Sequence, residues 1–191
     1  MAKTMKWAAG VFFALTAAAI GLYLFCLEWM FSFAITFGTF FYHFAMRLLV
    51  GHILDRIMQN KADYRKAWYQ LKPWETKLYK RLNVKKWKRN MPTYDPTLFD
   101  PKLHSWEEIV QAMCQAELVH EVIAALSFLP LLAAIPFGSF FVFLSTSLLA
   151  ALFDLCFVIM QRFNRPRVLK CLQRSQKTIS NRRKTDAQME S

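Results

Sequence analysis

Apolar positions along this chain gather into long, nearly uncharged runs. Residues 7–27 (WAAGVFFALTAAAIGLYLFCL) carry no charge, residues 29–46 carry only His43 as a possible cation, and residues 122–153 carry no ionisable side chain. A helix needs roughly 20 apolar residues to cross a hydrocarbon core of about 30 Å, so these runs predict membrane-spanning helices. Two breaks divide them: Leu27-Glu28-Trp29, and Pro136-Phe137-Gly138 between residues 118–135 and 139–160. Proline and glycine are strong breakers. The pattern predicts an all-α integral membrane protein with four transmembrane helices in two hairpins, 1–50 and 117–161. A helical cytoplasmic or interfacial segment, 51–116, joins them, and a basic tail, 162–191, follows. Lys3 and Lys6 imitate the basic start of a signal peptide. The run after them is longer than such peptides use and leads almost directly into a second span, so it reads as an uncleaved helix.

The middle segment has structure of its own. Residues 53–71 (ILDRIMQNKADYRKAWYQL) and 74–83 (WETKLYKRLN) have helical propensity, interrupted by Pro73. Their aromatics, Tyr64, Trp68, Tyr69, Trp74 and Tyr79, lie among lysines and arginines, a mixture found on helices resting at a lipid interface. Residues 92–101 (PTYDPTLFDP) hold three prolines and predict an extended loop. Ser105 and Glu108 have the capping-box spacing S-x-x-E, which predicts a helix from Trp106 running unbroken into the third span. No internal repeat is visible, and the tail after about residue 175 is polar enough for disorder.

Composition adds an apparent conflict, for the chain is 55% hydrophobic yet has a formal net charge of +12. The two properties are separated along it. Residues 51–116 hold 13 Lys and Arg against 7 Asp and Glu, residues 162–191 hold 9 against 2, and the two hairpin tips hold only Glu28. Basic loops stay on the cytoplasmic side, so the expected location is the cell membrane, multi-pass, with both termini and the middle segment cytoplasmic. Anionic headgroups account for the positive charge, and no nucleic-acid partner is expected. Cys26, Cys114, Cys156 and Cys171 show no CxxC spacing and two lie in spans, so neither a disulfide framework nor a zinc site is suggested.

Given that topology, polar residues gather in one leaflet. His43 and Arg47 share a helical face in the second span. Glu117, His120 and Glu121 share a stripe where the third begins, and Asp154 and Arg162 lie where the fourth returns. Ionisable groups at membrane depth cost about 2.5–3.5 kcal/mol each on insertion scales, so they pair or line a cavity. One polar pocket open to the cytoplasm is the simplest reading. Arg47 snorkelling to the surface, or Glu117 and Glu121 paired with lysines in water, are the plainer alternatives. His120 offers a general base, with Glu117 to orient it and stabilise its imidazolium. In QRFNRPR, residues 161–167, Arg162, Arg165 and Arg167 offer planar donors for phosphate. Pro166 disfavours helical geometry at Arg165 and predicts a helix end near Asn164. These parts suit acyl transfer from a thioester donor to a lipid hydroxyl. A zinc or iron site from His43, Glu117, His120, Glu121 and Asp154 competes, without an HExxH motif. A non-catalytic lipid-binding or scaffold protein is the alternative from another class.

The strings KKWK (85–88) with Pro92, AELVH (116–120), Pro130 and QRFNRPR resemble the glycosyl-4,4'-diaponeurosporenoate acyltransferase family, over roughly residues 74–175. The resemblance implies a small bacterial membrane enzyme that places a fatty acyl group on the sugar of a glycosylated carotenoid. It further implies a shared site of Trp87, Lys88, Glu117, His120, Gln161, Arg162, Asn164, Arg165, Pro166 and Arg167. Three positions depart from the family pattern: Glu121 replaces an aromatic residue, Asp154 an Asn and Cys156 a Pro. The acceptor is accordingly left open between a carotenoid glycoside, another glycolipid and a polyisoprenoid derivative. The expected enzyme uses His120, Glu117 and Asp154 for chemistry. His43, Arg47, Glu121, Trp87, Lys88, Gln161, Asn164 and the three arginines would bind substrate. No cofactor is expected beyond acyl-CoA or another acyl donor as co-substrate, and nothing in the sequence indicates an oligomeric state.

Overall fold

The structure, a computed structural model, describes residues 2–25, 27–92 and 95–189. Among them the elements are α1 (Ala2–Leu24), α2 (Met30–Met58), α3 (Pro73–Arg81), α4 (Val84–Trp87), α5 (Trp106–Leu126), α6 (Ala134–Phe137) and α7 (Phe140–Met189). Short 3-10 turns lie at Ala67–Tyr69, Lys88–Asn90, Pro96–Phe99 and Leu129–Ala133. No strand occurs among the described residues. Four segments are long and apolar enough to cross a membrane: Lys3–Leu24, Met30–Met58, Trp106–Phe137 and Phe140–Asp186. Their large apolar side chains point outward, with Phe141 81% and Leu149 69% exposed. Such a surface is unfavourable in water by about 25 cal/mol per Å² and is at home in lipid. This is a membrane protein.

The chain divides into two compact units. The first comprises Met1–Gln59, Pro92–Asp95 and Leu118–Val158. In it, Phe12 stacks on Phe40 and Phe44 with ring centroids 5.1 and 5.7 Å away, and Tyr23 lies 5.3 Å from Phe31, so α1 and α2 are zipped by aromatic pairs. Met46 and Val50 of α2 form a core with Ile123 of α5. The Tyr42 hydroxyl donates to the Leu126 carbonyl (2.9 Å), satisfying a helix-end acceptor that lacks an intrahelical donor. The helix from Trp106 runs unbroken into the third span, as expected, and stops within it at Leu126. The reason is local. The Ser127 hydroxyl folds back onto the Ile123 carbonyl (2.9 Å), while Pro130 has no N–H to give and disfavours helix at Leu129.

The second unit comprises Asn60–Met91, Pro96–Glu117 and Ile159–Ser191. Gln59 and Asn60 take left-handed backbone angles (φ 48° and 56°), a conformation that ends helices. The helix expected over 53–71 is thereby split: α2 takes its start, and one 3-10 turn its end. Pro73 opens α3 instead of interrupting a helix, as its missing N–H costs nothing in the first turn. The loop expected over 92–101 tightens into a 3-10 turn at Pro96–Phe99; Thr93 and Tyr94, like Cys26, lie outside the described residues. The capping box at the start of α5 forms, with the Ser105 N–H donating to Glu108 Oε2 (2.7 Å) and the Glu108 N–H to Ser105 Oγ (3.3 Å).

α7 corrects two expectations. It passes through Pro166 instead of ending near Asn164, and it continues to Met189 through the tail expected to be disordered. A mid-helix proline costs about 3 kcal/mol. Here the turns on its N-terminal side are pinned by buried ion pairs of Arg162 and Arg165. Between Pro166 and Met189 no glycine or proline breaks the run.

Candidate functional site

The residues singled out by sequence fall into two clusters, one in each unit. In the first unit, α2 supplies Arg47, α5 His120 and α7 Asp154. The Asp154 carboxylate is 1% exposed and accepts from Arg47 Nη2 at 2.5 Å through Oδ2. Its other oxygen lies 2.9 Å from His120 Nδ1. Arg47 also donates to the carbonyls of His43 (3.1 Å) and Ala150 (3.3 Å), which holds it in place. The His120 ring lies nearly parallel to Phe157, centroids 4.4 Å apart, so one edge is tied by a carboxylate and one face by an aromatic. Its side chain remains 23% exposed, and among the described residues its hydrogen bond is made through Nδ1 and none through Nε2. His43 is buried, with both ring nitrogens unpartnered.

The carboxylate on His120 is thus Asp154 and not Glu117, the orienter expected from the i, i+3 spacing. Glu117 is fully buried in the second unit, where Arg162 Nη1 donates to it at 2.5 Å and Arg165 Nη2 pairs with its other oxygen. Spacing along one helix aligned Glu117 with His120, but two arginines of α7 claim it.

The second cluster is a clamp. Arg162 is 8% exposed. Its Nε and Nη2 bond Glu75 at 2.6 and 3.0 Å, Nη1 reaches Glu117 and the Trp68 carbonyl (3.0 Å), and Nη2 reaches the Gln70 carbonyl (3.1 Å). A guanidinium has five N–H donors, and all five are used. Arg165, 2% exposed, donates to the Tyr69 carbonyl and lies over the Tyr69 ring at 5.4 Å. Two of the three arginines expected to hold phosphate are therefore spent on the fold.

Glu75 was missed by the sequence reading. It also accepts from the Lys72 N–H (2.6 Å) and the Tyr79 hydroxyl (3.1 Å). Burial by itself would raise its carboxyl, but the hydrogen bonds from Arg162, the Lys72 N–H and Tyr79 outweigh this and hold it below the usual range. Tyr79 is pushed up to about 12, by burial first and then by the Glu75 charge. One signal for Glu75 existed: it is the sole acid in residues 64–94.

The remaining motif residues lie on the other face of α7 or beside it. Lys88 Nζ donates to Asn164 Oδ1 at 2.5 Å and sits 4.9 Å from the Phe163 ring centroid. The exposed Arg167 lies over the same ring at 4.8 Å. Trp87 Nε1 donates to the Leu82 carbonyl (3.0 Å), Gln161 is buried, and Glu121 is half-buried on α5. Among the described residues no three His, Cys, Asp or Glu side chains converge as metal ligands would.

Residues 65–174 match the glycosyl-4,4'-diaponeurosporenoate acyltransferase family, which is more than half of the chain. The chain belongs to this family. Neither a curated relative nor a solved structure matches it. As an acyltransferase, the protein carries the matched region through the whole clamp and through His120 and Asp154, while Arg47 lies before it. The geometry suits that class. An imidazole fixed at Nδ1 by a buried carboxylate keeps Nε2 as a proton acceptor, the arrangement that activates a hydroxyl nucleophile.

Proposed function

We propose that this acyltransferase moves a fatty acyl group from a thioester donor, acyl-CoA or another, onto a sugar hydroxyl of a glycosylated membrane lipid. The glycosylated carotenoid in the family's description is the first acceptor to test, with other glycolipids and polyisoprenoid derivatives next. His120 Nε2 takes the hydroxyl proton as the oxygen attacks the acyl carbonyl carbon. The new C–O bond forms, the C–S bond breaks through a tetrahedral intermediate, and the imidazolium returns the proton to the leaving thiolate. Ester and free thiol result. Asp154 is the positioning residue: it selects the tautomer with the proton on Nδ1 and stabilises the imidazolium. Arg47 Nη2 donates to Asp154 Oδ2 and holds the carboxyl group in place beside His120. General-base catalysis of this kind contributes about 10²–10⁴-fold.

One observation carries the reading: Asp154 spans His120 Nδ1 and Arg47, and among the described residues Nε2 makes no hydrogen bond. The charge distribution supports a two-hairpin topology with both termini and the middle segment cytoplasmic, the side on which an acyl thioester is made. Comparative lipid mass spectrometry on cells expressing wild type or His120→Ala at matched membrane levels tests it. A lipid heavier by one acyl unit and present only with wild type identifies reaction and acceptor together. Identical profiles from two folded proteins would contradict acyl transfer and favour a protein that binds lipid without changing it.

A further inference from the structure

Helical periodicity divides QRFNRPR into two faces. Arg162 and Arg165, three apart, turn to the buried carboxylates, while Phe163 and Arg167, four apart, share the other side with Asn164. On that side Lys88 and Arg167 both pack on the Phe163 ring, at 4.9 and 4.8 Å. No carboxylate pairs with either of them, nor with Lys85 or Arg89, among the described residues.

We infer that Lys88, Arg167 and the Asn164 amide, arrayed around Phe163, form a binding subsite for a phosphate group. Like charges gathered without a counter-charge repel, and a bound phosphate anion relieves them. The Lys88 ammonium registers this repulsion: its pKa is lowered by burial first, then by Arg167, Arg89 and Lys85. Phosphate suits the donor set, since the guanidinium offers a planar fork and the ammonium a point charge. Phe163 fixes both stems, which reduces the ordering entropy lost on binding. The phosphate belongs either to the handle of the acyl donor, which rests on the acyl-transfer reading above, or to an anionic lipid headgroup, which does not.

The test uses full-length protein in phosphatidylcholine nanodiscs, with coenzyme A as soluble probe and, separately, graded phosphatidylglycerol as lipid probe. Equilibrium binding is read for wild type, Lys88→Gln/Arg167→Gln and the exposed tail control Arg174→Gln/Lys177→Gln. Saturable coenzyme A binding that weakens at least tenfold in the first double variant, but not in the tail control, establishes the subsite and assigns it to the donor. Saturation by phosphatidylglycerol alone, with the same dependence, assigns it to the headgroup. Binding of both probes unchanged by the Lys88/Arg167 pair, or reduced equally by the tail control, overturns the inference. Arg167→Lys, which retains the charge without the fork, separates lost binding from lost folding. Because the readout is binding and not turnover, His120→Ala should retain it, so failure of the subsite and failure of the base remain distinguishable.

Discussion

Two clusters in this molecule pair arginine with a buried carboxylate, and they differ in what is left over. In the second unit Arg162 spends all five N–H donors, Glu75 is saturated by arginine, tyrosine and backbone, and Glu117 is paired with two arginines. In the first unit Arg47 and Asp154 hold each other, and Asp154 then holds a partly exposed histidine by one nitrogen. The difference teaches that buried charge does not by itself mark a reactive centre. Leftover hydrogen-bonding capacity near an exposed edge does.

The comparison breaks most readily at Glu117. Glu117→Ala leaves the buried Arg165 guanidinium without a carboxylate and opens one donor of Arg162, and breaking such a buried pair costs about 3–5 kcal/mol. Thermal unfolding in detergent should show a large loss of stability. A stable Glu117→Ala protein that has lost only turnover would return Glu117 to the chemistry. Next comes Asp154→Ala, which removes the acceptor on His120 Nδ1 and should lower kcat by about 10²-fold, within the range for general-base catalysis, with KM little changed. Asp154→Glu should restore part of the rate. A rise in KM alone would recast Asp154 as a substrate contact.

The clamp should also report pH. The folded Glu75 carboxyl lies below its ordinary value of 4.5, so its contribution is fully present above that value and is lost as pH falls through the lower, folded one. Unfolding followed from pH 7 downward should be flat until the usual carboxylate range and then fall, with a shallower fall in Glu75→Gln. The smallest effect belongs to Phe157→Leu. Loss of a ring stack worth about 0.5–1.5 kcal/mol should slow turnover several-fold and lower stability by a similar amount at every pH, leaving the fall set by Glu75 unchanged.

Much of the fold was legible because lipid imposes simple rules. Uncharged runs of about 20 residues marked the spans, and Ser105 with Glu108 marked where α5 begins. Failures came where a distant residue overrode a local preference. Pro166 should end a helix, but Arg162 and Arg165 reach carboxylates on other elements and hold its preceding turns. Ser127 and Pro130 end α5 inside the third apolar run, where Pro130 was a breaker already visible in the sequence. At the site, His120, Asp154 and Arg47 were each visible as costly charges in apolar surroundings, while their pairing was not. The i, i+3 spacing offered Glu117 as partner to His120, and only three-dimensional packing gives it to the arginines instead. Glu75 passed unnoticed because an acid among lysines reads as a solvated surface residue.

The central claim is that His120 carries chemistry and the Arg162 clamp carries the fold. Its most direct test is the rate of acyl transfer per folded molecule for His120→Ala, in nanodiscs with a glycosylated lipid acceptor and an acyl thioester donor. Arg47 still neutralises Asp154 in this variant, so the protein should melt close to wild type while the rate falls by about 10²–10⁴-fold. A folded His120→Ala protein transferring acyl groups at the wild-type rate would contradict the account.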